Sequence, residues 1–444
     1  MDTLDWTEYE ELSSRWRQEG REFAQAVNRY VHIVLTEGWE VAGELAATDS
    51  RGDMAEEVLS VVRAANEHGE LDKLRTYFPP AWDPLVERIK AQGQAISSAL
   101  LLDGNRYVIR AGAPYEAGKV YLLLGERIEP VPDVITFGRS PDRRYIAKAY
   151  ETGVDIHTRW DGPEHVTLPW PTGREGVLGE YDASSLEGTP SITQISPFPD
   201  GKRALLVSPD SIFVLAESGA KHIHPDRDAI VEYIEWLREE YPDDEPLFDI
   251  DMEHGAISPD GQLIAVGDQS SKHRVLNSGF EEVASVGHLS EYPHYAVFSA
   301  NGQHVALNSC HFYNGCTIGV HISELDGLNS EPYEIEPPIV LLDDDARVYA
   351  ATAREDEFIV GDAYGYVRAF SVTGEKRWQH FVGSTISSID ISADGRVLLV
   401  GTYAGMVHLI DLDTPEADPY QIGTATHREL RRWIFWRGER PVIW

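Results

Sequence analysis

The spacing of apolar residues changes once along the chain, close to residue 95. Before this point apolar residues recur at three- and four-residue steps, which is the period of an amphipathic helix. After it, short apolar runs alternate with polar turns, a pattern that predicts β-strands. We therefore expect a small α-helical segment over residues 1–95 and a β-domain over residues 96–444.

The first segment is expected to contain several helices. Residues 7–35 and 53–67 form the longest helical patterns, and Asp53 is a candidate N-cap of the second. A shorter helix over 71–78 is expected to end at Pro79-Pro80. So few helices predict a packing appendage on the rim or face of the β-domain. A partner-binding surface is the alternative.

One unit recurs throughout the β-region. It consists of an apolar strand, a turn with Asp or Asn and usually Gly, and a second apolar strand. The clearest copies are at 257–267 and 391–401. The turn position of the seven copies falls at residues 104, 143, 201, 261, 302, 346 and 395. Four of the six steps are close to the period of a four-stranded propeller blade, and the long steps of 58 and 60 residues indicate insertions.

Seven copies favour a closed ring over separate domains. Asp-Gly and Asn-Gly turns supply the positive φ that tight hairpins require. A single blade cannot bury both of its faces, but blades stacked around an axis bury each other. We predict a mainly β fold, a seven-bladed β-propeller. The apolar residues 433–444 are expected to pack, either as a last strand of the seventh blade or against the N-terminal helices.

The repeat resembles the WD40-like propeller superfamily over residues 96–413. The resemblance lies in the Ser-Pro-Asp-Gly type of turn before an apolar strand, and in the segments GYVRAFS at 365–371 and GMVHLIDLD at 405–413. No Trp-Asp dipeptide closes a third strand, although Trp160-Asp161 lies near such a position in the second unit. The resemblance implies a scaffold that presents a broad, rigid face to other proteins.

The net charge restricts the class of partner that we expect. The chain has 74 acidic and 38 basic residues, a formal net charge of -36. Such a field repels nucleic acid and anionic membranes and attracts basic proteins, although solubility alone also accounts for it. Two cysteines, a start without a basic and apolar leader, and no apolar run of membrane-spanning length predict a soluble, cytoplasmic protein. We expect a monomer that binds a basic protein, and neither nucleic acid nor membrane.

Two insertions interrupt the repeat, at about 160–189 and 224–249. The first is rich in Pro, Gly and Ser and predicts a long loop. The second predicts a helix over 228–240, and twelve acidic but only two basic residues lie between Pro225 and Glu253. An acidic, aromatic helix can bind a basic partner through charge and aromatic contacts, whereas the alternative is a solvated helix packed on the third and fourth blades. The candidate partner-binding residues are Glu232, Tyr233, Glu235, Trp236, Glu239, Glu240, Tyr241, Asp243 and Asp244.

Catalytic and metal sites have little support in the sequence. His222 and His224 alternate along a predicted strand, and the spacing of Cys310, His311 and Cys316 is not a standard zinc pattern. No nucleophile elbow, phosphate-binding glycine loop or His-Glu-x-x-His motif is present. We expect no catalytic residue, no metal and no cofactor.

These features favour a non-enzymatic binding protein that neutralises or scaffolds a basic partner. A concrete form is an immunity protein or antitoxin that covers a cognate toxin. A general assembly scaffold or sensor is a second hypothesis. A propeller hydrolase or lyase with carboxylates at the central channel is the third.

Overall fold

In a computed structural model, which describes residues 3–172, 188–243 and 248–444, the β-domain is a ring of seven sheets. The strands of blades one to three are β1 Ile96–Leu102, β2 Arg106–Ala111, β3 Lys119–Leu124, β4 Arg127–Val131, β5 Thr136–Arg139, β6 Ile146–Tyr150, β7 Gly153–His157, β8 Glu164–Leu168, β9 Gln194–Pro197, β10 Arg203–Ser208, β11 Ser211–Ala216 and β12 Gly219–His224. Each blade is an antiparallel meander, so the predicted seven-bladed propeller is confirmed.

Blades four to seven follow the same plan. Their strands are β13 His254–Ile257, β14 Leu263–Gly267, β15 His273–Asn277, β16 Glu282–Val286, β17 Tyr292–Phe298, β18 His304–His311, β19 Asn314–His321, β20 Leu328–Asn329, β21 Val340–Asp343, β22 Val348–Arg354, β23 Glu357–Asp362, β24 Tyr366–Ser371, β25 Lys376–Phe381, β26 Ile386–Ile391, β27 Val397–Thr402, β28 Met406–Asp411, β29 Arg428–Ile434 and β30 Val442–Ile443. Strand β20 leaves blade five and pairs in parallel with β16 of blade four.

The first strand of each blade lines a central channel and contacts the first strands of its neighbours. We call the end of the channel where these inner strands begin the entry face, and the opposite end the exit face. Because the strands of a blade alternate in direction, the turns after the first and third strands lie at the exit face.

The helices are α1 Glu10–Glu37, α2 Trp39–Ala42, α3 Ala55–His68, α4 Leu71–Tyr77, α5 Val86–Gln92 and α6 Arg227–Glu240. The predicted N-cap of the second long helix is wrong. Asp53 lies inside a 3-10 turn, Ser50–Met54, that precedes α3. Asp49 caps this turn by accepting a hydrogen bond of 3.0 Å from the Arg51 N–H.

Two other predictions are corrected. Part of the long loop predicted over 160–189 is strand β8, which completes blade two, and residues 173–187 lie outside the described ranges. The turn predicted at residue 346 belongs instead to the connection between β21 of blade five and β22 of blade six. The true first turn of blade six is at Glu355, whose φ is +50°.

The ring is closed between blades one and seven without any exchange of strands. All strands of blade one come from 96–131 and all those of blade seven from 386–443. At the seam, the hydroxyls of Ser387 and Ser388 each donate a 2.9 Å hydrogen bond to the Ile96 carbonyl. The Asp390 carboxylate accepts a 2.7 Å bond from the Leu101 N–H.

The N-terminal helices cover this seam and share one apolar core with blades one and seven. Trp16 of α1 stacks on Trp444 with ring centroids 6.1 Å apart, and both rings are fully buried. Each indole N–H donates to a backbone carbonyl, Trp16 to Pro79 at 2.8 Å and Trp444 to Phe78 at 2.6 Å. Both alternatives for residues 433–444 therefore hold, because they extend blade seven and also pack on the helices.

Two polar contacts reinforce the joint between helices and blade seven. The Asn66 side chain donates to the Ile443 carbonyl at 2.7 Å and accepts from its N–H at 2.8 Å. The Glu429 carboxylate forms ion pairs with Arg432 at 2.8 Å and Arg75 at 3.3 Å, and a 2.8 Å contact with His408. Burial alone would raise the pKa of Glu429, but these groups hold it well below its ordinary value.

Candidate functional site

Helix α6 follows β12 at the entry face and is anchored to the propeller by its apolar side. Ile230 and Ile234, four residues apart, lie on one side of the helix and are buried. Arg274 of blade four forms a 2.9 Å ion pair with Asp226, the N-cap residue. The helix predicted over 228–240 is thus present one residue longer, and its apolar stripe is packed.

The exposed surface of α6 and its C-cap residue, Tyr241, carries three aromatic rings in a row, with Trp236 between the other two. Tyr233 and Trp236 have ring centroids 5.7 Å apart, and Trp236 and Tyr241 are 6.1 Å apart. Tyr233 is 38% exposed, and Trp236 and Tyr241 are each 49% exposed. Large rings held together at the surface form a ready contact area, because little side-chain entropy remains to be lost on binding.

Carboxylates surround these rings. Glu232, Glu235, Glu239, Glu240 and Asp243 are all exposed. Within the described parts of the chain, Glu232, Glu239, Glu240 and Asp243 form no ion pair. The ninth predicted residue, Asp244, lies outside the described residues. The structure therefore brings eight of the nine candidate residues onto one exposed face, which we call the α6 face.

The entry mouth of the channel is a second feature. A cavity of about 850 Å³ is lined there by residues from several blades. Arg347 donates a 2.8 Å hydrogen bond to Nε2 of His294, whose Nδ1 donates to the Val348 carbonyl at 2.7 Å. Burial, together with Arg347, lowers the pKa of His294 well below its ordinary value. The ring therefore stays neutral, and its Nε2 accepts the hydrogen bond from Arg347.

Other polar groups complete this mouth. The Arg347 guanidinium lies 4.5 Å from the centroid of the Tyr349 ring, and Tyr403 packs on the same ring. Glu253, which accepts a hydrogen bond from Thr193, has a pKa raised by burial. Because the mouth contains both hydrogen-bond donors and acceptors, it can bind either cationic or anionic groups. No local motif reveals it, because its members come from different blades.

Acid should destabilise the protein through the buried histidines of this mouth. Burial lowers the pKa of His254 from 6.5 to about 4, and the ring shares a 3.1 Å hydrogen bond with His273. Between these values the unfolded chain binds more protons than the folded one. The contribution of His254 is thus complete above pH 6.5 and is lost as pH falls towards 4. At pH 5 it is reduced by about 2 kcal/mol.

Urea unfolding at pH 7 and pH 5 measures this effect. His254→Asn should lose less stability between the two pH values than the wild type loses. His32→Asn, at an exposed position on α1, should behave as the wild type does. An unchanged pH dependence in His254→Asn would contradict the assignment.

The histidines and cysteines singled out in the sequence do not converge. His224 contacts Asp268 of blade four at 2.7 Å, whereas His222 contacts Ser211 of its own blade, because a bulge separates them. Cys310 pairs with Gly315 across the β18–β19 hairpin, and Cys316 pairs with Ser309. Both thiols are free, and burial raises the pKa of each. No cluster of three metal-ligating side chains occurs among the residues that the structure describes.

These observations define the molecule as a seven-bladed β-propeller with helices over its seam and an acidic helix at its entry face. No protein-family model matches the sequence, and neither does any curated protein. Among the described residues, no helix has both the length and the apolar character needed to cross a bilayer.

Similar solved structures were found at low sequence identity. The computationally designed Ika8 protein has 12% identity and a TM-score of 0.43, and the match covers 71% of this chain and 96% of that one. KlHsv2 with loop 6CD replaced by a Gly-Ser linker has 11% identity and a TM-score of 0.40, covering 76% and 98% respectively. At these scores neither likeness carries an argument about function.

Proposed function

We propose that this protein is a non-enzymatic, WD40-like propeller that binds a basic protein through its α6 face. The observation that carries the proposal is the exposed cluster of Tyr233, Trp236 and Tyr241, held on a helix whose other side is anchored by buried isoleucines. Tryptophan and tyrosine are the residues that most often dominate binding energy at protein interfaces.

Charge supports a basic partner. The carboxylates around the rings add to a net charge of -36, which attracts cations and speeds their association. A narrower form of the proposal is an immunity protein or antitoxin that covers a basic toxin. Its support is the charge alone, and a toxin-domain gene beside the gene for this protein is the finding expected under it.

Copurification from native lysate at low and high salt, followed by mass spectrometry, tests the proposal. We expect a basic protein that is retained at low salt and released at high salt, since screening weakens exposed charge pairs. The double variant Trp236→Ala/Tyr241→Ala should weaken this complex by about thirtyfold, which corresponds to roughly 2 kcal/mol at an interface hot spot.

The matched control is Trp39→Ala, which removes an aromatic ring that is 69% exposed on α2. It should leave the complex intact. If the α6 variant retains the same basic protein with unchanged affinity, the α6 face is not the binding surface.

A further inference from the structure

A cavity of about 670 Å³ opens at the exit face, where blades seven, one and two meet. It lies on the face opposite to the start of α6 and is separate from the entry mouth. It is lined by Gly125 and by residues that come from 101–107, 139–160 and 392–433. Five of the lining side chains are arginines: Arg106, Arg139, Arg143, Arg159 and Arg431.

The net charge around this cavity is positive, whereas that of the whole protein is negative. Acidic residues outnumber basic ones by 74 to 38 along the chain. Around the cavity, five guanidinium groups face only four carboxylates, which are those of Asp103, Asp161, Asp390 and Asp394. The cavity thus has a local excess of one positive charge, which favours an anion over a cation there.

Three of the arginines are already partly neutralised. Arg106 pairs with Asp161. Arg139 and Arg143 share the single carboxylate of Asp390, at 3.0 and 2.9 Å. Two positive charges of the lining therefore share one negative charge.

The other two arginines lack a carboxylate. Within the described ranges, neither Arg159 nor Arg431 forms an ion pair, and Arg159 is exposed. Arg431 donates one hydrogen bond, of 3.1 Å, to the Gly125 carbonyl. Guanidinium groups with unused donors bind oxyanions through paired, charge-assisted hydrogen bonds.

The backbone at Arg143 is a second, independent observation. Its φ is +65°, in the left-handed region. Glycine occupies the corresponding turn position in five other blades, with φ between +68° and +73°, and Glu355 occupies it in blade six with a φ of +50°. A residue with a Cβ is strained there, and such strain concentrates where a side chain serves a function. The strained turn presents the Arg143 guanidinium to Asp390 and to the cavity.

We propose that the exit-face cavity binds a phosphorylated small molecule, with Arg159 and Arg431 holding the phosphate. A phosphate group presents three strong acceptor oxygens, enough to take charge-assisted hydrogen bonds from both guanidinium groups at once. The volume lies within the range of small-molecule sites. The apolar lining, which includes Leu101, Leu102 and Leu430, contacts the remainder of the ligand.

Isothermal titration of the full chain with inorganic pyrophosphate at low ionic strength tests the assignment. We expect saturable binding at one site. Arg159→Ser/Arg431→Ser should lower the affinity for pyrophosphate at least about tenfold, because two charge-assisted interactions are lost. Citrate, a polycarboxylate of similar charge, should bind the wild type more weakly than pyrophosphate does.

The matched control is Arg29→Ser/Arg440→Ser, which removes two exposed arginines outside the cavity and should bind as the wild type does. Thermal melting of both double variants should match the wild type, so that a loss of binding is not a loss of folding. Absence of binding by the wild type, equal binding by both double variants, or citrate binding as tightly as pyrophosphate would each overturn the proposal.

This proposal is independent of the α6 face. Trp236→Ala/Tyr241→Ala should bind pyrophosphate normally, so failure of one proposal leaves the other intact.

Discussion

Replacing Trp444 with alanine should lower the free energy of unfolding by about 3–5 kcal/mol, the range for removing a large buried aromatic side chain. Trp444 is fully buried between the N-terminal helices and blade seven, stacks on Trp16 and donates to the Phe78 carbonyl. Its removal leaves a cavity at the ring seam and an unpaired carbonyl. Urea denaturation followed by far-UV circular dichroism measures the change.

Trp39→Ala is the control, because that ring is 69% exposed and contacts only Tyr30 among aromatic rings of the described chain. It should change stability by about 0.5 kcal/mol or less. Equal effects of the two substitutions would mean that the seam does not depend on Trp444.

Glu429→Ala should cost a similar amount, about 3–5 kcal/mol, since it removes one member of a buried charged cluster. The carboxylate neutralises Arg432 and Arg75, and it also contacts His408. Without it, two guanidinium groups remain in a poorly hydrated site close to one another. The measurement is again the urea midpoint at pH 7.

A carboxylate in an exposed ion pair provides the comparison. Glu129 pairs with Arg127 at 3.2 Å, and the two side chains are 47% and 74% exposed. Glu129→Ala should therefore change stability by less than about 1 kcal/mol. If Glu429→Ala is equally mild, the cluster contributes little to holding the helices on blade seven.

The propeller itself could be predicted because its turns are local. Gly201, Gly261, Gly302 and Gly395 all adopt a φ near +70°, which the Asp-Gly and Asn-Gly pairs indicated. The turn of blade two was also placed correctly, although Arg143 stands where five other blades have glycine. Short-range chemistry thus located most blades.

Blade six has a first turn that local sequence does not reveal. The run Asp343-Asp344-Asp345 has turn chemistry, but it lies between two blades and not inside one. The true turn contains Glu355 and no glycine, so composition gave no signal for it. Tertiary packing, and not local preference, sets the backbone there.

Of the two proposed binding sites, one has a local sequence signal and the other does not. The α6 face could be predicted because Ile230 and Ile234 are four residues apart, which is a local helical signal. The exit-face cavity was missed because Arg106 and Arg431 are separated by more than 300 residues and meet only when the ring closes. The packing of residues 433–444 on the N-terminal helices, where Trp444 stacks on Trp16, was expected only as one of two alternatives, because these segments are also far apart in the sequence.

The packing of the N-terminal helices on blade seven has a consequence for biosynthesis. A ribosome makes Trp16, Phe78 and their apolar neighbours well before residues 428–444, which cover them. Each blade can form as it emerges, but the apolar side of the helices stays uncovered until almost the whole chain has been translated. The nascent protein should therefore depend on chaperones at this surface late in synthesis, and ring closure should be its slow folding step.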